Sequence, residues 1–313
     1  MDNYQEPNFD LIAKAIKKAN VVFSNDLLRR YHLSLKTRRF VILCGVSGCG
    51  KTLLTRTYAN AVQAQYRLVP VAPNWTTNED LLGYYNPLNK QYYDTDFSLF
   101  LRQAARAHES AISVGKQAQP FHLVLDEMNL ARVEYYFAKF LSGMEVLNSA
   151  GKATVTMFGP DVVELPPNLY FVGTVNIDET TQGFADKIYD RAQVIELTHN
   201  REEVESRIER KELKEPLMAV WDAVAEVAPF SIRVIDEVSA YVTAAINLRI
   251  PWEQALDDQI CQKILPRVRG TDVRLGVMLQ KLHAITVNRF PRSNGKIQQL
   301  TYGYQNYGIV SYF

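Results

Sequence analysis

The chain has 313 residues, 47% of them hydrophobic, 22% charged and 11% aromatic, and its 35 Lys and Arg against 34 Asp and Glu leave a net charge of +1. These are the values of a globular protein with a sizeable core; they exclude a disordered or collagen-like chain and leave no overall field to draw it to nucleic acid or a membrane surface. Three cysteines, Cys44, Cys49 and Cys261, make no disulfide framework; the opening MDNYQEPNFD lacks the order of a signal peptide, and no apolar run approaches the roughly 18 residues of a membrane span, so a reduced, cytoplasmic protein is expected.

Residues 1–38 read as a helical lead-in, with Leu11, Ile12, Ala15 and Ile16 on one helix face and a second helix over 26–35. From 39 to 200, short apolar runs alternate with helical patterns. The runs are FVILC (40–44), YRLVPV (66–71), FHLVLD (121–126), LYFVGTVN (169–176) and QVIEL (193–197). Near-continuous Val, Ile and Leu fit strands buried on both faces, hence a parallel sheet covered by helices. ATVTMF and VVEL predict a hairpin turning at Gly159, Pro160 and Asp161. Over 201–290 the strands stop. Ile235, Val238, Val242, Ala245 and Ile246 follow helical spacing, as do Leu256, Ile260 and Ile264, while Pro216, Pro229, Pro251, Pro266 and Pro291 punctuate the segment. The Tyr- and Gly-rich tail 291–313 has no readable pattern. The expected architecture is a large α/β domain followed by a small all-α domain and a tail of unknown role.

Residues 45–52, Gly-Val-Ser-Gly-Cys-Gly-Lys-Thr, match G-x-x-x-x-G-K-T directly after the first strand run and before a helical pattern. Gly45, Gly48 and Gly50 let backbone N–H groups turn inward around phosphate oxygens, and the next helix aims its positive N-terminus at the same anion. Lys51 reaches the β- and γ-phosphates, and the Thr52 hydroxyl can ligate Mg²⁺. The expected nucleotide-binding set is Gly45, Val46, Ser47, Gly48, Cys49, Gly50, Lys51, Thr52 and the adjoining Leu53. Cys49 reads as a small filler rather than a redox switch.

FHLVLDEMN ends an apolar strand in Asp126 and Glu127. In an open parallel sheet such a strand end lies beside the phosphate loop. Asp126 would hold Mg²⁺ together with Thr52. Glu127 would polarise the water that attacks the γ-phosphate, a role in which a carboxylate contributes about 10²–10⁴-fold. A second acid beside the metal carboxylate points to hydrolysis rather than transfer to an acceptor. The five histidines are scattered without ligand spacing, so Mg²⁺ is the one metal expected.

With these residues in view, the chain resembles the AAA+ superfamily and, within it, the McrB-like branch of modification-dependent restriction motors. The resemblance runs from about 38 to 290 and is carried by GVSGCGKT, APNWTTNEDLLGYYNP, LVLDEMNLARVEYYFAKFLSGME, LPPNLYFVGTVNIDET, FADKIYDRAQVIEL, FSIRVIDEVSAYV and DDQICQKILPRVRG. It implies a P-loop AAA+ core with a helical lid. Asn176 would be the sensor-1 residue that helps hold the attacking water, Arg191 the arginine finger reaching a neighbour's γ-phosphate, and Arg233 the sensor-2 arginine of the lid. The chain departs from McrB's own Met-Asn-x-x-Asp signature, reading Val175-Asn176-Ile177-Asp178-Glu179, and carries a single arginine at the finger site. No guanine-reading N/T-K-x-D motif is visible, so ATP and GTP both stay open.

The resemblance further implies a homo-oligomeric, six-membered ring and a McrC-like nuclease subunit as partner, with DNA reached through that partner or a pore and no membrane contact. Arg132, Tyr135, Tyr136 and the hairpin are candidates for the ring face or pore, against core packing of Tyr135, Tyr136, Phe137 and Phe140. Trp75, Tyr84 and Tyr85 read as aromatics of a flexible loop that contact a partner or a nucleic acid strand, or pack locally. Two other functions fit the same motifs: a nucleotide-gated scaffold with little turnover, and a MoxR-like protein-remodelling chaperone.

Overall fold

The computed structural model describes residues 4–19, 23–150, 153–156, 162–177 and 183–313. The chain forms two compact units, Met1–Gly45 with Gly50–Leu197, and Thr198–Phe313 with the loop Val46–Cys49.

In the first unit, Asn8 and Ser24 accept from Leu11 N and Leu27 N and so start helices α1 (Phe9–Lys18) and α2 (Asn25–Arg38). α1 buries Ile12 and Ile16. Leu11, expected on the same face, is 54% exposed, because the buried stripe is only one i, i+4 pair wide. Strand β1 (Phe40–Gly45) leads through the Gly-rich loop to α3 (Lys51–Ala61) and β2 (Gln65–Pro70).

The segment APNWTTNEDLLGYYNP is not the flexible loop expected. Thr77 and Asp80 form a capping box that opens α4 (Asn78–Leu82), and β3 (Gly83–Asn86) pairs antiparallel with β4 (Gln91–Asp94). Tyr84 stacks on Tyr93 across that hairpin at 5.1 Å, and Trp75 meets buried Tyr136 edge-on at 5.3 Å.

Then follow α5 (Asp96–Ser113), β5 (Phe121–Asp126), a 3₁₀ turn (Met128–Leu130), α6 (Val133–Tyr136) and α7 (Ala138–Ala150). The expected hairpin is β6 (Ala153–Thr156) against β7 (Val162–Leu165), paired Val155 to Val163; its turn at Gly159, Pro160 and Asp161 lies outside the described residues. Strand β8 (Leu169–Asn176), α8 (Asp186–Tyr189) and β9 (Gln193–Glu196) complete the unit.

The main sheet is parallel throughout, in the order β2-β5-β8-β1-β9. Its register sets Gly45 beside Asn176 and Leu125 beside Gly173, so the carboxyl ends of β1, β5 and β8 finish together. Phe97, Phe137, Phe140 and Phe171 interlock beneath them, with Phe137 and Phe140 stacked at 5.1 Å. Tyr136, Phe137 and Phe140 are therefore core, whereas Tyr135 is exposed under the Arg132 guanidinium. Gly173 admits Met128 over the middle of β8: a methyl group on its Cα would lie 2.4 Å from Met128 Sδ.

The second unit is helical, with α9 (Arg201–Ser206), α10 (Lys211–Val224), α11 (Ile232–Asn247) and α12 (Trp252–Gln259), the last running on through a π turn Ile260–Ile264. Helices α13 (Leu275–Thr286) and α14 (Pro291–Tyr307) close it. Pro216 does not punctuate; it lies inside α10, where its ring is buried with Leu213 and Leu217. The tail 291–313 supplies α14, whose Ile297 and Leu300 enter the unit's core. Phe290, at the cap position, has no side-chain acceptor. Buried Asp257 takes over, accepting from Arg292 N at 2.9 Å, Ser293 N at 2.8 Å and the Ser293 hydroxyl.

Candidate nucleotide site

β1 delivers Gly45 to the start of the loop, and the Gly45 carbonyl accepts from Lys51 Nζ at 2.9 Å. Gly48 and Gly50 have φ of +83° and +95°, a region where a Cβ costs about 1–2 kcal/mol. A turn from Cys49 N to Val46 O, 3.2 Å, tightens the loop. Gly50, at the cap position of α3, supplies no side-chain acceptor to the helix's first turn. Lys51 is buried, Cys49 is buried, and Leu53 is 47% exposed on the outer side of α3. Phe23, which carries no motif, has its ring edge 3.4 Å from where a Gly50 methyl would sit.

At the start of α3, Thr52 Oγ1 donates to Asp126 Oδ1 at 2.9 Å. The same Oδ1 accepts from Thr174 Oγ1 at 2.6 Å, and Thr174 Oγ1 in turn accepts from Glu127 N at 2.9 Å. Glu127 sits in the left-handed region at φ 53°, ψ 47°, which turns its side chain out of the strand line as the 3₁₀ turn begins. Its Oε1 accepts from Asn176 Nδ2 at 3.1 Å. Asn129 Nδ2 donates to Asn176 O at 3.2 Å, joining the turn after β5 to the end of β8. Thus the structure brings together Lys51, Thr52, Asp126, Glu127 and Asn176, all expected, and adds Thr174 and Asn129, which were not. Thr174 stood unmarked inside an apolar strand; its one signal was its place two residues before Asn176, on the same face of β8.

Behind the site the scaffold is firmly set. Thr55 Oγ1 donates to Thr52 O at 2.8 Å and lies 2.9 Å from the Tyr66 hydroxyl, whose pKa burial pushes up. On β5, burial and, next, Lys36 push His122 down to about 3.

The other two arginines are placed differently. Arg191 Nε donates to Leu141 O at 3.1 Å and its Nη1 to Lys187 O at 2.9 Å, so the guanidinium is held by backbone carbonyls of its own chain. Within the second unit, Arg233 and Ser231 lie against the loop: a methyl on Gly48 would meet Ser231 Oγ at 2.6 Å and Arg233 Nε at 3.0 Å. Ser231 Oγ is buried and has no hydrogen-bond partner among the described residues. Asp178 and Glu179 lie outside the described residues.

The Thr52 and Asp126 oxygens are the hard donors Mg²⁺ takes alongside phosphate and water, and the Thr52 proton, aimed at Asp126, leaves that hydroxyl's lone pairs for a cation. Residues and group fit.

A Gly-rich loop between a parallel strand and its helix, with Thr52 of that helix bonded to Asp126 at the end of β5, is accompanied by a sequence match: the AAA domain (dynein-related subfamily) matches residues 40–191. Residues 40–191 form an AAA+ domain. A domain of unknown function (DUF8727) matches 187–309, overlapping the end of the AAA match and running through β9 and most of the helical unit. No curated protein matches the chain. Among solved structures, the P216G mutant of Thermotoga maritima RuvB is 13% identical, covering 91% of this chain and 80% of that one, with a TM-score of 0.49. No described helix is long and apolar enough to cross a membrane.

Proposed function

We propose that the chain is a Mg²⁺-dependent NTP phosphohydrolase that assembles as a ring, six-membered by the resemblance, and drives a McrC-like nuclease or a DNA-remodelling subunit in a McrBC-like defence against foreign DNA. The observation that carries the hydrolytic part is the Glu127–Asn176 contact of 3.1 Å standing beside the Thr52–Asp126 pair. Asn176 engages one Glu127 oxygen and leaves the other for water. Glu127 takes a proton from that water as its oxygen bonds to the γ-phosphorus, and the bond to the β,γ-bridging oxygen breaks, releasing phosphate and nucleoside diphosphate. Lys51 and the loop amides hold the phosphate charge; Thr52 and Asp126 would hold Mg²⁺, which when bound neutralises charge on the β- and γ-oxygens.

The ring reading rests on Arg191. To act on a neighbour's γ-phosphate the guanidinium must let go of the Leu141 and Lys187 carbonyls, so association and activation are coupled in this proposal. Arg233, beside Gly48, supports the loop from the helical unit. Either ATP or GTP is the substrate.

The test is phosphate release from ATP and from GTP across protein concentration, with Lys51→Ala as the control. Turnover of one nucleotide rising more steeply than linearly with concentration is expected, and Lys51→Ala abolishes it. Binding with no turnover at any concentration, alone or with a candidate nuclease subunit, sinks the hydrolase reading in favour of a nucleotide-gated scaffold.

A further inference from the structure

Building on the hydrolase reading above, we infer that Thr174 is a positioning residue: one buried hydroxyl sets the Asp126 carboxylate and the Glu127 peptide at the same time. Thr174 is 1% exposed. A hydroxyl has one proton to give and lone pairs to receive. Here the proton goes to Asp126 Oδ1 at 2.6 Å and a lone pair receives Glu127 N at 2.9 Å, so the acid on the metal side and the acid on the water side hang from one atom.

Both ends need the anchor. Asp126 Oδ1 is shared by Thr52 and Thr174, and the two hydroxyls together fix the carboxylate's rotation. Glu127 has a Cβ yet holds φ 53°, and its N–H on Thr174 and its carboxylate on Asn176 keep it there. The register explains why residue 174 supplies the hydroxyl. Leu125 pairs with Gly173, so Asp126 and Thr174 are next along adjacent strands, and β8 presents Thr174 and Asn176 on one face. Serine can do the same work. Valine, of equal shape, can do neither part.

The experiment compares Thr174→Val and Thr174→Ser in the full chain by steady-state phosphate release and by the Mg²⁺ midpoint for binding a fluorescent nucleotide analogue. Thr174→Val is expected to lower kcat about 10–100-fold, the scale of a roughly 1 Å misplacement, with KM within twofold of wild type. Its Mg²⁺ midpoint rises at least threefold, and Thr174→Ser returns both values to within threefold of wild type. A kcat or a Mg²⁺ midpoint within twofold of wild type in Thr174→Val overturns the bridge, as does a serine variant as impaired as the valine one. If Thr174→Val fails to fold, the Thr174→Ser and Thr174→Ala pair, differing by the hydroxyl alone, makes the same comparison. A wild-type chain that binds nucleotide without turnover sinks the hydrolase reading separately, and the Mg²⁺ titration still reads the bridge through Asp126.

Discussion

Glu127, Gly48 and His122 show how differently single residues constrain this protein. Replacing Glu127 by Gln keeps the Asn176 contact and the shape but removes the proton acceptor. Turnover should fall about 10²–10⁴-fold with nucleotide affinity retained, as read by phosphate release beside a binding titration. At Gly48 the limit is space as well as backbone: Gly48→Ala puts a methyl 2.6 Å from Ser231 Oγ at φ +83°. The expected outcome is a loss of about 1–2 kcal/mol of stability from the backbone conformation alone, together with a nucleotide affinity reduced at least tenfold in a fluorescence titration. His122 is buried between the Tyr58 and Tyr170 rings, and burial holds its pKa near 3. The unfolded chain takes up that proton near the ordinary value of about 6.5, so the stability from neutral His122 is complete above that pH and is lost as pH falls toward 3. Thermal melts should fall through this window, and the slope should be shallower in His122→Phe.

The elements differed sharply in how readable they were. β1, β5 and β8 stand out as unbroken apolar runs because both of their faces are covered, and the phosphate loop and Asp126-Glu127 follow from where those runs end. The β3–β4 hairpin was hidden because GYYN and QYYD carry little apolar pattern; its fold comes from Tyr84 stacking on Tyr93 and from a cap two turns earlier. Helix α14 was hidden for another reason. Gly295 and Gly303 weaken its local preference, and what holds it is Asp257, a distant residue that caps it from α12. That predicts a specific cost. Asp257→Ala should destabilise the helical unit by about 1–3 kcal/mol, leaving the buried Ser293 N–H and the part-buried Arg292 N–H without their acceptor while the Ser293 hydroxyl keeps the Asp257 carbonyl, measurable as a lower denaturant midpoint by circular dichroism. Truncation after residue 290 should be worse, because it removes Ile297 and Leu300 from the core. Thr174 was unreadable on similar grounds: a threonine in a strand looks like packing until the neighbouring strand's register places a carboxylate beside it.

At the scale of the molecule, each unit has its own apolar core. Residues 198–313 expressed alone should therefore give a helical spectrum and a cooperative melt; a broad, non-cooperative trace would show that the helical unit depends on the AAA+ domain. The Met128–Gly173 fit has a consequence over evolutionary time. A methionine fills the room that a missing side chain leaves, so neither position can drift alone. Among descendants of this chain, any residue larger than glycine at 173 should arrive with a smaller one at 128, and the two columns should change as a pair while the exposed positions around Gly115 wander independently.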